Sequence, residues 1–466
     1  MKEAPTSEVI EFGGSEKSAL PIFLKTEDEL FDWSRAQGDR IARWIETALP
    51  APSAGAWCFL PGEDGPSGVV TVVESAQSAM RALASLAQAL PKGRYCLAET
   101  FHRAEYAEAA YQFSAGAYRY TRYRASASAG AGERAVLVLP EEAAEATPDI
   151  RALELVRDLV NAPADDLGPD EIADEAKKIA EEFGGELRVV RGDELAAEYP
   201  LVWAVGRAAS RPPLLVDLRF GDPQAPKLTI AGKGVCFDSG GLDIKPADGM
   251  RHMKKDMGGA AHALGLAQAV LARELPVRLR VLVPAVENAI AGDAYRPGDI
   301  LRSRKGLTVE IHNTDAEGRV ILADALADAA AEDPDLLLDF ATLTGAARVA
   351  LGPDIPALFS PADTVADGLV EWCGRAGEPL WRLPLYTPYR ALLDSPVADM
   401  TNAASGRHAG AITAALFLAA FADDAPRWAH VDLYAWNDSA KPGRPAGGEG
   451  QCLRGIAAYL SARYAR

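Results

Sequence analysis

At 466 residues the chain exceeds the roughly 250–300 at which a single hydrophobic core stops growing, so two domains are expected. Hydrophobic residues make up 48% and charged residues 24%, and no apolar run nears the ~20 residues that a membrane span needs. The formal charge of −18, from 48 basic and 66 acidic side chains, repels nucleic-acid phosphate overall, and the amino terminus MKEAPTSEVIEF lacks the basic-then-apolar order of a secretory signal. The expectation is a cytoplasmic protein with no membrane or nucleic-acid partner.

Five scattered cysteines, with no CxxC pair, argue against a disulfide framework and against a thiolate zinc site. The six histidines include no HExxH, so a metal site here has to rest on carboxylates.

In chain order, VVTVV (69–73) reads as a strand and SAQSAMRALASLAQAL (75–90) as a helix. ASASAGAG (125–132) reads as a small flexible stretch, and AVLVLP (135–140) as the last strand of this region. Thr147-Pro148 then reads as an N-cap followed by Pro at the first helical position, with Ile150, Leu153, Val156, Leu159 and Val160 at helical spacing behind it. The boundary falls here: a smaller α/β amino-terminal domain over 1–147, and a catalytic α/β domain over 148–466 with a linking helix at 148–165. Alternation of strand and helix follows, through KLTIAGKG (227–234), DMGGAAHALGLAQAVLA (256–272), VRLRVLVPAV (277–286), LTVEIHN (307–313), RVILADALADAAAE (319–332) and DLLLDFATLTGAA (335–347). That alternation predicts a central mixed sheet flanked by helices.

The chemistry-bearing stretches sit where strands end, the usual position of sites in open α/β sheets. In NTDAEGR (313–319), Asp315 and Glu317 are two apart; on extended backbone both carboxylates face one side, and Gly318 permits a turn. The bland alternative is a solvated turn whose acids cap the next helix. In GKGVCFDSGGLDIKP (232–246), Asp238 sits in a close glycine loop flanked by Lys233 and Lys245. A phosphate-cradling loop is the alternative, but the GxxxxGK[ST] spacing is absent. In GMRHMKKDMGGAA (249–261), Asp256 either cores the site or serves as a helix N-cap; His252 and His262 lack partners at ligand spacing. Four carboxylates in one pocket would raise each other's pKa values, and two divalent cations would resolve the conflict.

These stretches, with ENAIAGDAYRPGD (287–299), ATLTGA (341–346), GAITAALFL (410–418) and HVDLYAW (430–436), closely resemble the leucyl (cytosol) aminopeptidase family of two-metal metalloexopeptidases over roughly 150–466. The first 145 or so residues are assigned to that family's divergent amino-terminal domain by position alone. The resemblance implies hydrolysis of the first residue from peptides with a free α-amine, and a homohexamer. It implies two divalent ions, zinc or manganese: one held by Lys233, Asp238, Asp256 and Glu317, the other by Asp238, Asp315 and Glu317. Lys245 and Arg319 match the family's catalytic pair, with bicarbonate on Arg319 as the proton shuttle. By the same resemblance Leu343 offers its carbonyl to substrate, Met253, Thr342 and Gly345 line the first side-chain pocket, and Asn313 helps position the peptide.

One departure stands out. After HVD, where the family often carries small residues, this chain has Leu433, Tyr434, Ala435 and Trp436. Tyr434 either reshapes the pocket or packs as core. The rivals are a two-metal phosphoesterase and a catalytically silent, DNA-binding relative; the second would be expected to have lost ligands, and all five ligand positions are present.

Overall fold

The computed structural model describes residues 9–124 and 134–465; the amino-terminal octet and the stretch read as small and flexible lie outside them. Two compact units emerge, one of residues 1–150 with 438–446, the other of 151–437 with 447–466. The helix Thr147–Asn161 carries the chain from one to the other. Thr147 is not an extended N-cap, as expected from Thr-Pro, but has helical dihedrals (φ −54°, ψ −42°), because a 3-10 turn over Glu141–Ala146 runs straight into the helix.

The first unit is built on a six-stranded sheet in the order Ile10–Phe12, Ala135–Leu139, Gly93–Leu97, Leu20–Thr26, Pro66–Val73, Trp57–Pro61. Every neighbouring pair is parallel except the last, which is antiparallel. The expected helix at 75–90 divides into a 3-10 turn, Ala76–Arg81, and an α-helix, Ala82–Ala89.

The second unit carries a nine-stranded mixed sheet. Its centre is Trp428–Asp432, Leu336–Ala341, Lys227–Gly232 and Arg278–Asn288, all mutually parallel. Antiparallel strands Ala357–Phe359 and Leu214–Phe220 flank them. Alternate residues of these strands feed two separate cores. Leu228, Ile230, Leu336, Leu338 and Phe340 pack on one side, and Ala231, Leu337 and Ala341 on the other. Strands buried on both faces read as near-continuous apolar runs for this reason.

Two helices fill those cores. Gly258–Ala272 and Glu317–Ala331 are each buried around almost their whole circumference, the second taking Glu317, Arg319, Asp324 and Asp328 inward with it. The first lies directly on the strand ends: a Cβ at Gly259 would stand 2.1 Å from the Phe340 carbonyl oxygen and 2.8 Å from the Lys233 nitrogen. No helix among the described residues is long and apolar enough to cross a membrane.

The contact at Gly259 is backbone to backbone, so no side chain can swing away to make room. Gly259→Ala is expected to lower stability by about 1–3 kcal/mol. The measure is a lower urea midpoint at unchanged slope; an unchanged midpoint would show that the helix lifts off the sheet without cost.

Candidate active site

The carboxyl ends of the parallel strands converge on one cavity of about 280 Å³. Lys233 follows strand Lys227–Gly232 and is locked by its backbone: its N–H donates to the Phe340 carbonyl (2.9 Å), and its carbonyl accepts from Ala260 (2.8 Å). The buried side chain reaches Asp256 Oδ2 at 2.7 Å and Glu317 Oε1 at 3.0 Å, and donates to the Thr342 carbonyl at 2.9 Å. Burial works against its charge, but Asp256, Glu317 and Asp238 outweigh burial and hold the ammonium above its ordinary range. A cation bound among these carboxylates would neutralise them and reverse that sign, as a metal-binding lysine requires.

Asp238 ends a short strand, Gly234–Asp238, that pairs with Arg278–Asn288; it is not in the irregular loop expected. Asn288 Nδ2 and the Gly240 N–H donate to its Oδ1, at 2.8 and 2.9 Å, and Lys245 Nζ stands 2.7 Å from Oδ2. Burial opposes its ionisation, yet Lys245 and Lys233 pull the pKa down. The loop back to Lys245 turns through Gly240 and Gly241, at φ +87° and +63°, a region open to glycine. Lys245 bridges Asp238 to Asp315.

Asp315 and Glu317 do not lie on extended backbone. A 3-10 turn over Thr314–Ala316 leads into the helix Glu317–Ala331, and the break at Ala316 (φ −118°, ψ 37°) swings the two carboxylates together. Long-range hydrogen bonds hold this shape. The Thr314 hydroxyl donates to the Gly240 carbonyl (2.6 Å) and accepts from Asp243 N–H (2.9 Å), while Asp243 Oδ2 accepts from Thr314 N–H (2.8 Å). Gly318 provides no turn; it lies inside the helix, where a Cβ would stand 2.4 Å from Lys233 Cε, so its role is clearance for that lysine.

Asp256 is no helix N-cap. It is buried in a 3-10 turn, Met253–Met257, ahead of the helix, and its Oδ1 accepts from the Thr342 hydroxyl at 2.8 Å. His262 is a satisfied core histidine: Nε2 accepts from Gln451 N–H (2.9 Å) and Nδ1 faces the Gly258 carbonyl (2.6 Å). His252 packs at 4.9 Å from the Trp436 ring centroid and does not line the cavity.

The donor set suits divalent cations. One oxygen each of Asp238, Asp315 and Glu317 lies within 4.8 Å of the others. Buried Glu317 Oε2 has no hydrogen-bond partner. Burial, with the charge of Asp238 adding to it, pushes Glu317 up to about 8 and Asp315 to about 6. Acids held so far above their ordinary range are short of positive charge, which a bound cation supplies.

Met253, Thr342, Leu343 and Gly345 line the same cavity, and so does Tyr434, which is therefore pocket wall and not core. Asn313 and Arg319 do not line it. Asn313 Oδ1 instead caps the 3-10 turn, accepting from Asp315 N–H at 2.8 Å. Arg319 is buried in the first turn of its helix; Nη1 donates to the Asn402 carbonyl (3.0 Å), and Nε has no partner. It makes no ion pair among the described residues, and burial pushes its pKa down to about 10. Sequence reasoning gave no role to Asn288, Thr314 or Asp243. It also missed Asp432, which accepts from the Leu343 and Thr344 N–H groups (3.0 and 3.2 Å) and so shapes the cavity wall. The signal for Asp432 was an acid closing the apolar strand WAHVD.

Comparison with known proteins identifies the family. Residues 154–457 match the cytosol aminopeptidase family's catalytic domain, and residues 20–140 match the M17 aminopeptidase amino-terminal domain. A probable cytosol aminopeptidase of Roseiflexus castenholzii is 44% identical over 310 residues, covering 65% of this chain and 63% of that protein. Peptidase B of Cronobacter sakazakii is 41% identical, covering 71% and 81%. The crystal structure of the cytosol aminopeptidase from Coxiella burnetii superposes with a TM-score of 0.94 at 47% identity, covering 98% of this chain and all of that one. The bottromycin maturation enzyme BotP in complex with Mn gives 0.83 at 35%, covering 96% and 100%. With both family domains matched and a solved member superposing along 98% of this chain, the chain belongs to the M17 cytosol aminopeptidase family.

Proposed function

We propose that the chain is a metal-dependent aminopeptidase that removes the first residue from peptides with a free α-amine. The observation that carries this reading is the four-acid, two-lysine cluster flooring a cavity large enough for an amino-acid residue. Lys233, Asp238, Asp256 and Glu317 would hold one divalent ion, and Asp238, Asp315 and Glu317 the other. Zinc or manganese suits this set; manganese is the ion in the BotP complex. When bound, such a pair polarises a scissile carbonyl and lowers the pKa of the attacking water.

The chain's own residues supply the rest. Lys245, held as a cation by Asp238 and Asp315, faces the cavity and would stabilise negative charge growing on the carbonyl oxygen, an effect worth roughly 3–4 kcal/mol for a single comparable donor. Leu343 would accept from the peptide through its backbone carbonyl, on a loop whose N–H groups Asp432 already holds. Met253, Thr342 and Gly345 would surround the first side chain. Asn313 would act on the peptide only through the turn that it caps.

All four carboxylates serve as ligands in this reading, so the base must come from elsewhere. Arg319 has a buried guanidinium, no ion pair among the described residues and an unpartnered Nε, which together suit a planar anion such as bicarbonate as proton carrier. A homohexamer in the cytoplasm completes the proposal.

Metal-stripped protein is expected to lose hydrolysis of aminoacyl anilides and to regain it when zinc or manganese is restored. Full activity after stripping, or hydrolysis of aryl phosphates alone, would refute the reading. Arg319→Ala is expected to cut kcat by about 100-fold while leaving metal content near normal; loss of metal from that variant would make Arg319 a structural residue instead.

A further inference from the structure

The cavity is charged unevenly. Lys233 and Lys245 are matched by Asp238, Asp256, Asp315 and Glu317, and Asp432 is satisfied by the Leu343 and Thr344 N–H groups and the Thr344 hydroxyl. Two more cations line the same cavity without such compensation: Lys255 and Arg348. Lys255 is 5% exposed, and its nearest carboxylate, Asp256 Oδ1, stands 3.9 Å away, beyond hydrogen-bond distance. Asp256 already serves Lys233. Arg348, on the short helix Gly345–Leu351, makes no ion pair among the described residues. Both cations lie on the ring of Tyr434, Lys255 Nζ at 5.1 Å and Arg348 Cζ at 4.5 Å from its centroid.

Attraction to the ring face accounts for where these groups point. It does not account for their being together, because two cations on one ring repel each other. A buried ammonium without a matched anion is costly, and packing alone would be as well served by an uncharged chain of similar length. An anion arriving with the ligand would resolve the arrangement. In the aminopeptidase reading the metal-facing acids would take the amine and carbonyl end of the substrate, leaving the wall of Met253, Thr342, Gly345 and Tyr434 for the first side chain.

We infer that the first-residue pocket of this chain is built for an acidic side chain, aspartate or glutamate, with its carboxylate held between Lys255 and Arg348 over Tyr434. The inference rests on the aminopeptidase reading and specifies its substrate class. Tyr434 acts here as a specificity residue: it narrows the pocket and holds the two cations to one side.

The test measures kcat/KM of the metal-loaded protein on the Glu, Asp, Gln, Leu and Lys anilides, which carry no terminal carboxylate. Glu or Asp is expected to exceed Gln by about tenfold or more, since Gln keeps the shape and loses the charge. Lys255→Met and Arg348→Ala should each shrink the Glu-to-Gln ratio, and Arg348→Glu should invert the order of the Glu and Lys anilides. The Arg348 side chain is exposed and makes no ion pair among the described residues, so its variants test the charge without disturbing the fold. A Glu-to-Gln ratio near one with good turnover of Leu overturns the inference and leaves the aminopeptidase reading intact. A preference for dipeptides over anilides whatever the first residue assigns the two cations to the peptide's terminal carboxylate, and also overturns it. Failure on every anilide removes the underlying reading, and this inference with it.

Discussion

Four carboxylates crowded at the ends of parallel strands set the terms for the rest of the second unit. Left to themselves they would repel one another, and burial, with the charge of Asp238 adding to it, raises the pKa values of Glu317 and Asp315. The surrounding chain answers with cations at fixed places. Lys233 is pinned through its own backbone between a strand and a helix, and the bare Cα of Gly318 leaves room for its side chain. Lys245 arrives from a loop that two left-handed glycines turn back toward the site. The two-faced sheet and its helices bury Lys233, Asp256 and Glu317, where solvent screens their charges least, while Lys245 and Asp315 sit nearer the opening.

Much of this was legible in the residues. Alternation of strand and helix predicted the central mixed sheet flanked by helices. The placement of acids and lysines at strand ends predicted that they would meet. The local geometry around Asp315 and Glu317 was not legible, because it depends on Thr314 and Asp243, 71 residues apart in sequence, stapling a turn to a loop. Alternation on extended backbone was a sound local argument that a distant contact overruled. Gly318 was misjudged for the same reason: its partner is a lysine 85 positions earlier, and no local pattern encodes that clearance.

Lys255 and Arg348 show a different limit. In sequence each looks like an ordinary solvated charge, one in a basic run and one after small residues. Their meaning appears only when the fold turns both toward the same tyrosine, with Asp256, 3.9 Å from Lys255 and already paired with Lys233, as the nearest acid. Tyr434 was suspect from its position after HVD, but whether it faced pocket or core depended on the strand's final turn, where Ala435 takes a positive φ of 56°.

Residues 438–446 belong with the first unit although almost the whole second unit precedes them in the chain. An amino-terminal domain ordinarily folds first as synthesis proceeds. Here its last nine residues leave the ribosome only after some 290 residues of the other unit have followed it, so its completion must wait for nearly the entire polypeptide. The two units are thereby tied in time as well as in sequence, and no single cut separates one from the other intact.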